Sequence, residues 1–180
     1  MSTYTKRKYV IFVLWIVSVV SFFAIHSFSE SPKTEGKAMK LLSSDFEDNG
    51  FIPKKYSCKG EDVNPTLSWD DVPEGTKSFA LSVKDPDAPS GTFIHWLVYD
   101  IDESTRKIDE NSIPGKQVKN SFGKENYGGP CPPSGVHRYY FRLFALDSKS
   151  LGSIESSEDF DGKVKKHTIE EAELMGKFEK

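Results

Sequence analysis

The sequence predicts a mainly β, sandwich-like domain with one or two short C-terminal helices, preceded by an N-terminal transmembrane or signal helix. Three observations carry this expectation. Strand-like apolar segments recur through the middle of the chain, separated by turns rich in Pro and Gly. Helical patterning is scarce and comes late. One apolar run, Tyr9 to Phe28, stands apart near the N-terminus. The 180 residues suit one ordinary domain. With 28% charged and 37% hydrophobic residues, the composition is globular rather than disordered.

The chain divides into a basic segment (1–8), an apolar segment (9–28), a linker (29–40) and a domain (41–180). The apolar segment is interrupted only by Ser18, Ser21, His26 and Ser27. About 20 apolar residues is the length that crosses a bilayer. Lys6, Arg7 and Lys8 precede it, and the positive-inside rule keeps them in the cytoplasm and sends the rest across. An uncleaved anchor is preferred, because the run exceeds a usual signal h-region and Ser27-Phe28-Ser29 is a poor cleavage site. Cleavage near Ser29 would instead release a secreted domain. The linker SPKTEGKAMK (31–40) has Pro, Gly and Lys but no apolar period.

Three strands read clearly. In Ser78–Lys84, Phe79, Leu81 and Val83 alternate with smaller or polar residues. Ile94–Ile101 is apolar on both faces, with Ile94, Trp96 and Val98 set against Leu97, Tyr99 and Ile101, as in a strand covered on both sides. Arg138–Leu146 alternates and is rich in aromatics. Phe51–Tyr56, Thr66–Trp69 and Lys116–Val118 are weaker strand candidates. Near the C-terminus, Thr168 with Glu171 forms a capping box and Gly176 a helix stop, so a helix is expected there, with a short turn around Ser157–Lys163 before it.

The chemistry concentrates in three stretches. Asp85-Pro86-Asp87-Ala88-Pro89 follows a strand, and two prolines stiffen the loop that carries both carboxylates. His95 opens the next strong strand. Gly128-Gly-Pro-Cys-Pro-Pro-Ser-Gly135 forms an extended wall that a ligand can approach closely, and it leads into His137-Arg-Tyr139. Neighbouring strand ends would gather Asp85, Asp87, His95, His137 and Tyr139 around one small hole. Imidazole N–H and phenol O–H groups make such a hole a phosphate-sized anion site, and the aspartate fixes a histidine tautomer.

These stretches, in this order, resemble the phosphatidylethanolamine-binding protein family, also called Raf kinase inhibitor-like proteins. The resemblance rests on Gly60-Glu-Asp-Val-Asn-Pro65 with Leu67-Ser-Trp69, Val72-Pro-Glu-Gly-Thr76, Asp85-Pro-Asp-Ala-Pro89 and His95-Trp-Leu-Val98. It continues in Tyr127-Gly-Gly-Pro-Cys-Pro-Pro133 and His137-Arg-Tyr139, and spans about Phe51 to Gly176. Five residues separate Pro89 from His95, as in the compact prokaryotic-type branch. The longer insertion of animal and plant members is missing, and with it a pocket tyrosine that some animal members carry there. The resemblance implies a Greek-key β-sheet packed on a second sheet, with terminal helices. It implies an anion pocket formed by Asp85, Asp87, Pro89, His95, Pro132, His137 and Tyr139, for small anions or phosphorylated headgroups. It also implies a kinase or peptidase as protein partner, and no established catalytic cycle.

Other functions weigh less. A hydrolase would use Ser134 or Cys131 with His137 as base, but no Gly-x-Ser-x-Gly elbow occurs and Cys131 lacks a helix N-terminus to activate it. A metal site lacks the short ligand spacing of zinc motifs. No cofactor is implied. Two cysteines exclude a disulfide scaffold, although an exported domain could join Cys58 to Cys131. Three of the 24 basic residues but none of the 27 acidic ones precede Glu30, which leaves residues 30–180 at net −6. No broad basic surface for nucleic acid is expected.

Overall fold

The computed structural model describes residues 37–180, so the expectations for the basic segment, the apolar segment and most of the linker lie outside the described residues. Among the described residues, no helix is long and apolar enough to cross a membrane. Eight strands and one α-helix follow in order among these residues. They are β1 (Lys40–Ser43), β2 (Leu67–Asp70), β3 (Ser78–Asp85), β4 (Phe93–Asp102), β5 (Lys107–Ile108), β6 (Lys116–Gln117), β7 (Val136–Leu146), α1 (Ser157–His167) and β8 (Thr168–Glu179).

Two antiparallel sheets form. The small one runs β1-β2-β5, and the large one β6-β4-β3-β7-β8. Leu41, Leu67, Trp69 and Ile108 of the small sheet pack against Phe79, Leu81, Val83, Phe141 and Leu143 of the large one. The other face of the large sheet buries Ala80, Leu97 and Tyr99 against Phe160 and Val164 of α1. The large sheet is therefore covered on both sides, which is why β3 is buried along nearly its whole length. Met39, at the end of the expected linker, is also buried, and its N–H donates to Glu170 Oε1.

The expected C-terminal helix is a strand. Residues 168–179 pair along nearly all of β7, from Leu146↔Thr168 to Val136↔Glu179. Ala172, Leu174, Gly176 and Phe178 are buried in alternation, a period of two that the glutamates around them disguise as helical sequence. Gly176 is a packing residue rather than a helix stop: a Cβ there would lie 2.5 Å from Ile52 Cγ1 and 2.9 Å from the Phe46 ring. The helix is instead α1, where only a turn was expected. The Ser156 hydroxyl caps it by accepting the Asp159 N–H (3.2 Å), and Phe160 and Val164 bury its inner face. The Phe51–Tyr56 strand candidate reduces to one bridge at Phe51 and a single 3-10 turn at Lys54–Tyr56.

Candidate functional site

The antiparallel order brings three chain segments to one end of the large sheet. β3 ends at Asp85, β4 starts at Phe93, and β7 starts at Val136. There they enclose a cavity of about 270 Å³, lined by residues that include Asp85, Pro89, Phe93, His95, Phe122, Pro132 and His137.

His95 reaches this cavity through a β-bulge. Val83 pairs with Trp96 but Lys84 with Ile94, so one extra residue enters β4 at this point. Strict alternation would send His95 to the side opposite Trp96. With the bulge, His95 packs on Tyr139 of the inter-sheet core, and Ile94 turns to the α1 side. The expected grouping of Ile94 with Trp96 and Val98 is corrected accordingly. A second bulge, near Asp100 with its φ of 54°, likewise moves Ile101 into the inter-sheet core.

Both pocket histidines are buried, at 3% and 7% exposure, and both have Nδ1 committed. His95 Nδ1 lies 2.7 Å from the Gly128 carbonyl, which can only accept, so Nδ1 carries the proton. The Gly128 N–H returns a bond to the His95 carbonyl (3.0 Å). His137 Nδ1 faces Asp85 Oδ2 at 2.7 Å. The other Asp85 oxygen accepts the Asp87 N–H at 2.8 Å. Asp85 thus orients one imidazole and closes its own loop, while each ring is left with Nε2 for the cavity. Burial pushes the His95 pKa below its ordinary value, while the carbonyls of Gly128 and Gly129 and the Asp85 carboxylate pull the other way. In the free protein His95 is therefore a neutral ring.

The remaining expected residues divide. Pro89 and Pro132 line the cavity. Asp87 does not; it binds Arg138 through both oxygens (2.6 and 2.8 Å) and also accepts the Arg138 N–H (2.9 Å). The guanidinium holds the Asp87 carboxyl down to about 2. Asp87 is thus a latch for the 85–89 loop. Tyr139 is fully buried behind His95, ring centroids 5.1 Å apart, and does not line the cavity. Its hydroxyl approaches the Cys131 backbone without hydrogen-bond geometry, and burial raises its pKa, so it stays a neutral phenol. Ser134 is exposed and outside the lining. Cys131 carries no thiol, because it forms a disulfide with Cys58.

That disulfide, with Cα atoms 5.5 Å apart, ties the Gly/Pro wall to the segment after the 3-10 turn. The Cys58 N–H donates to the Pro130 carbonyl (3.2 Å), and Asp62 Oδ1 accepts the Gly129 N–H (2.6 Å). Two supporting residues were not singled out from sequence: Asp62, and Asn120, which is buried beside His95. Asp62 lies inside the Gly60–Pro65 motif, so its motif was visible although its role was not. Among the described residues, no group of three His, Cys, Asp or Glu side chains could hold a metal ion.

Larger clefts lie on the opposite face of the large sheet. One of about 650 Å³ is lined in part by Lys84, Arg138, Tyr140, Arg142 and Asp161. Its cations are already paired: Lys84 with Asp161, Arg138 with Asp87, Arg142 with Glu173. The smaller cavity is the better candidate because its ring nitrogens remain available.

Comparison with known proteins identifies the family. Residues 42–179 match the family model described as phosphatidylethanolamine-binding protein. A UPF0098 protein of Aquifex aeolicus is 44% identical over 155 residues, covering 81% of this chain and 91% of its own. A UPF0098 protein of Methanothermobacter thermautotrophicus is 43% identical, covering 78% and 98%. The crystal structure of a putative phosphatidylethanolamine-binding protein homolog from Chlamydia trachomatis superposes with a TM-score of 0.75 at 42% identity, over 79% of this chain and 98% of that one. E. coli YbcL, described as a new member of the mammalian family, gives the same TM-score at 28% identity, over 80% and 99%. The chain belongs to the phosphatidylethanolamine-binding protein family, in the prokaryotic branch represented by the UPF0098 proteins and YbcL.

Proposed function

We propose that this protein is a binding protein whose pocket takes a phosphate-like anion or a phosphorylated headgroup between His95 and His137. One observation carries the reading: two buried imidazoles, each with Nδ1 committed, share one cavity. Among the described residues, neither Lys nor Arg lines that cavity. Positive charge for an anion then comes from the His95 imidazolium, whose Nε2–H donates a charge-assisted bond.

The pH dependence follows with a definite sign. The His95 pKa is depressed in the free protein, so the ring is neutral there. An anion favours the imidazolium, so binding takes up a proton. Affinity therefore rises as pH falls through and below the ordinary histidine value of about 6.5. Without the anion, the same depression makes folding stability fall over that acidic range, because the unfolded histidine binds its proton more readily.

The test is a titration with inorganic phosphate at about pH 5.5 and about pH 8, following the ring signals of His95 and His137 by NMR. Shifts in both rings and tighter binding at the lower pH are expected. Unmoved signals, or equal affinity at both pH values, would remove the mechanism.

We further propose that residues 9–28 anchor the domain outside the cytoplasm. The disulfide supports this, since such bonds persist in oxidising compartments.

A further inference from the structure

Phe122 is an aromatic side chain that lines the cavity, yet it is 44% exposed. Its turn is closed by the buried Asn120 side chain. Asn120 Oδ1 accepts the N–H groups of Phe122 (3.0 Å) and Lys124 (3.1 Å), and its Nδ2 donates to the carbonyls of His95 (3.2 Å) and Asn126 (2.9 Å). The turn is also pinned to β4: the Ser121 N–H donates to the Ile94 carbonyl, and the Ile94 N–H to Ser121 Oγ, both at 2.9 Å. The ring stands edge-on to Phe93 (4.8 Å between centroids) and to His95 (5.6 Å). It also rests on Gly128, where a Cβ would fall 2.6 Å from two ring carbons. A ring fixed this way loses little rotamer freedom when a ligand covers it.

The cavity is larger than a bare phosphate needs. Its volume of about 270 Å³ equals roughly nine waters at about 30 Å³ each. A phosphate between the two imidazoles fills only the inner part. Apart from Asp85, the two histidines and Ser90, the lining is Ala88, Phe93, Phe122, the disulfide-bonded Cys131 and three prolines, so it is mostly apolar. A cationic substituent there would find one carboxylate, Asp85, already engaged by His137 and the Asp87 N–H.

We propose that Phe122 determines ligand specificity, selecting anions whose phosphate-like group carries a ring-sized apolar substituent over the bare anion or one with a short cationic substituent. This rests on the anion-pocket reading above: the imidazole end fixes the charge, and Phe122 with Phe93 reads what is attached to it.

The test is calorimetric titration of the full chain with inorganic phosphate, phosphoethanolamine and phenyl phosphate at about pH 6, near the histidine range. Phenyl phosphate should bind about three- to tenfold more tightly than the other two, the range expected of one aromatic contact. Phe122→Ala should abolish that advantage, bringing phenyl phosphate to the affinity that the same variant shows for inorganic phosphate, while Phe122→Tyr should keep it. Equal affinity for phenyl phosphate and phosphoethanolamine overturns the inference, as does an advantage that survives Phe122→Ala. Loss of inorganic phosphate binding in Phe122→Ala also overturns it, by making Phe122 a support for His95. Failure of the unaltered protein to bind inorganic phosphate or either ester overturns the pocket reading instead.

Discussion

Strand β7 serves two clefts of opposite character. His137 points into the small cavity, and Tyr139 lies buried just behind it. Arg138 and Tyr140 point into the large groove on the α1 side. The groove has more than twice the volume and most of the charge, but its charges are spent on one another. The cavity has one carboxylate and two imidazoles, and its ring nitrogens have unfinished business with a ligand. Size and charge mark the groove; unsatisfied chemistry marks the cavity. The two sides also share a support. Asp85 grips His137 inside while Asp87 grips Arg138 outside, so one Asp-Pro-Asp loop holds two successive residues of β7.

If the cavity side is the built one, damage there should be costly, and Asp85→Ala should cost most. It strips a buried imidazole of its acceptor and leaves the Asp87 N–H unpaired. Leaving a buried donor unsatisfied costs about 1–3 kcal/mol, and here two donors lose their acceptor together. Urea unfolding should show that loss together with loss of phosphate binding. A cost below about 1 kcal/mol would put the cavity on the footing of a surface ion pair.

Removing the disulfide should come next. Replacing Cys58 and Cys131 by Ser opens a cross-link over 73 residues, for which about 2–4 kcal/mol is typical. Hydrogen exchange sharpens the contrast: the amides of Gly128 and Gly129 should lose protection while those of α1 keep theirs. Equal losses on both sides would make the cross-link a general staple rather than a support for the cavity wall.

The smallest effect belongs to the groove. Lys84→Ala breaks the half-exposed pair with Asp161 (2.7 Å) and should change stability by less than about 1 kcal/mol. Phosphate affinity should not change. A weakened affinity in that variant would move the anion site, or its control, to the α1 side.

Much of the architecture was legible because burial repeats along the chain. The alternation of Phe79, Leu81 and Val83 and of Tyr139, Phe141 and Leu143 appears in the structure as one face of the large sheet. β8 was misread because local signals competed. Thr168, the glutamates and Gly176 favour a helix locally, yet the backbone groups of β7 give residues 168–179 a partner that an isolated helix lacks. The short β5 was not legible, since Lys107–Ile108 is a strand only because β2 lies beside it. In the site, Asp85, His95, Pro132 and His137, all within the sequence motifs, line one cavity. They did not separate Asp87, turned out to Arg138, from Asp85, turned in to His137, because the two carboxylates sit two residues apart in one loop.

The sequence by itself determined which segments could be strands, which residue types could bind an anion, and which family pattern they follow. Those properties depend on residue identity and short spacing. Only the tertiary structure decided where the side chains point. His95 faces the cavity because pairing with β3 inserts a bulge between Ile94 and Trp96, and a one-residue shift reverses the face of a strand residue. Its tautomer is set by the Gly128 carbonyl, 33 residues away. Phe122 stays exposed because Asn120 holds its turn against β4. Each of these outcomes joins segments distant in the chain, and no local period encodes such contacts.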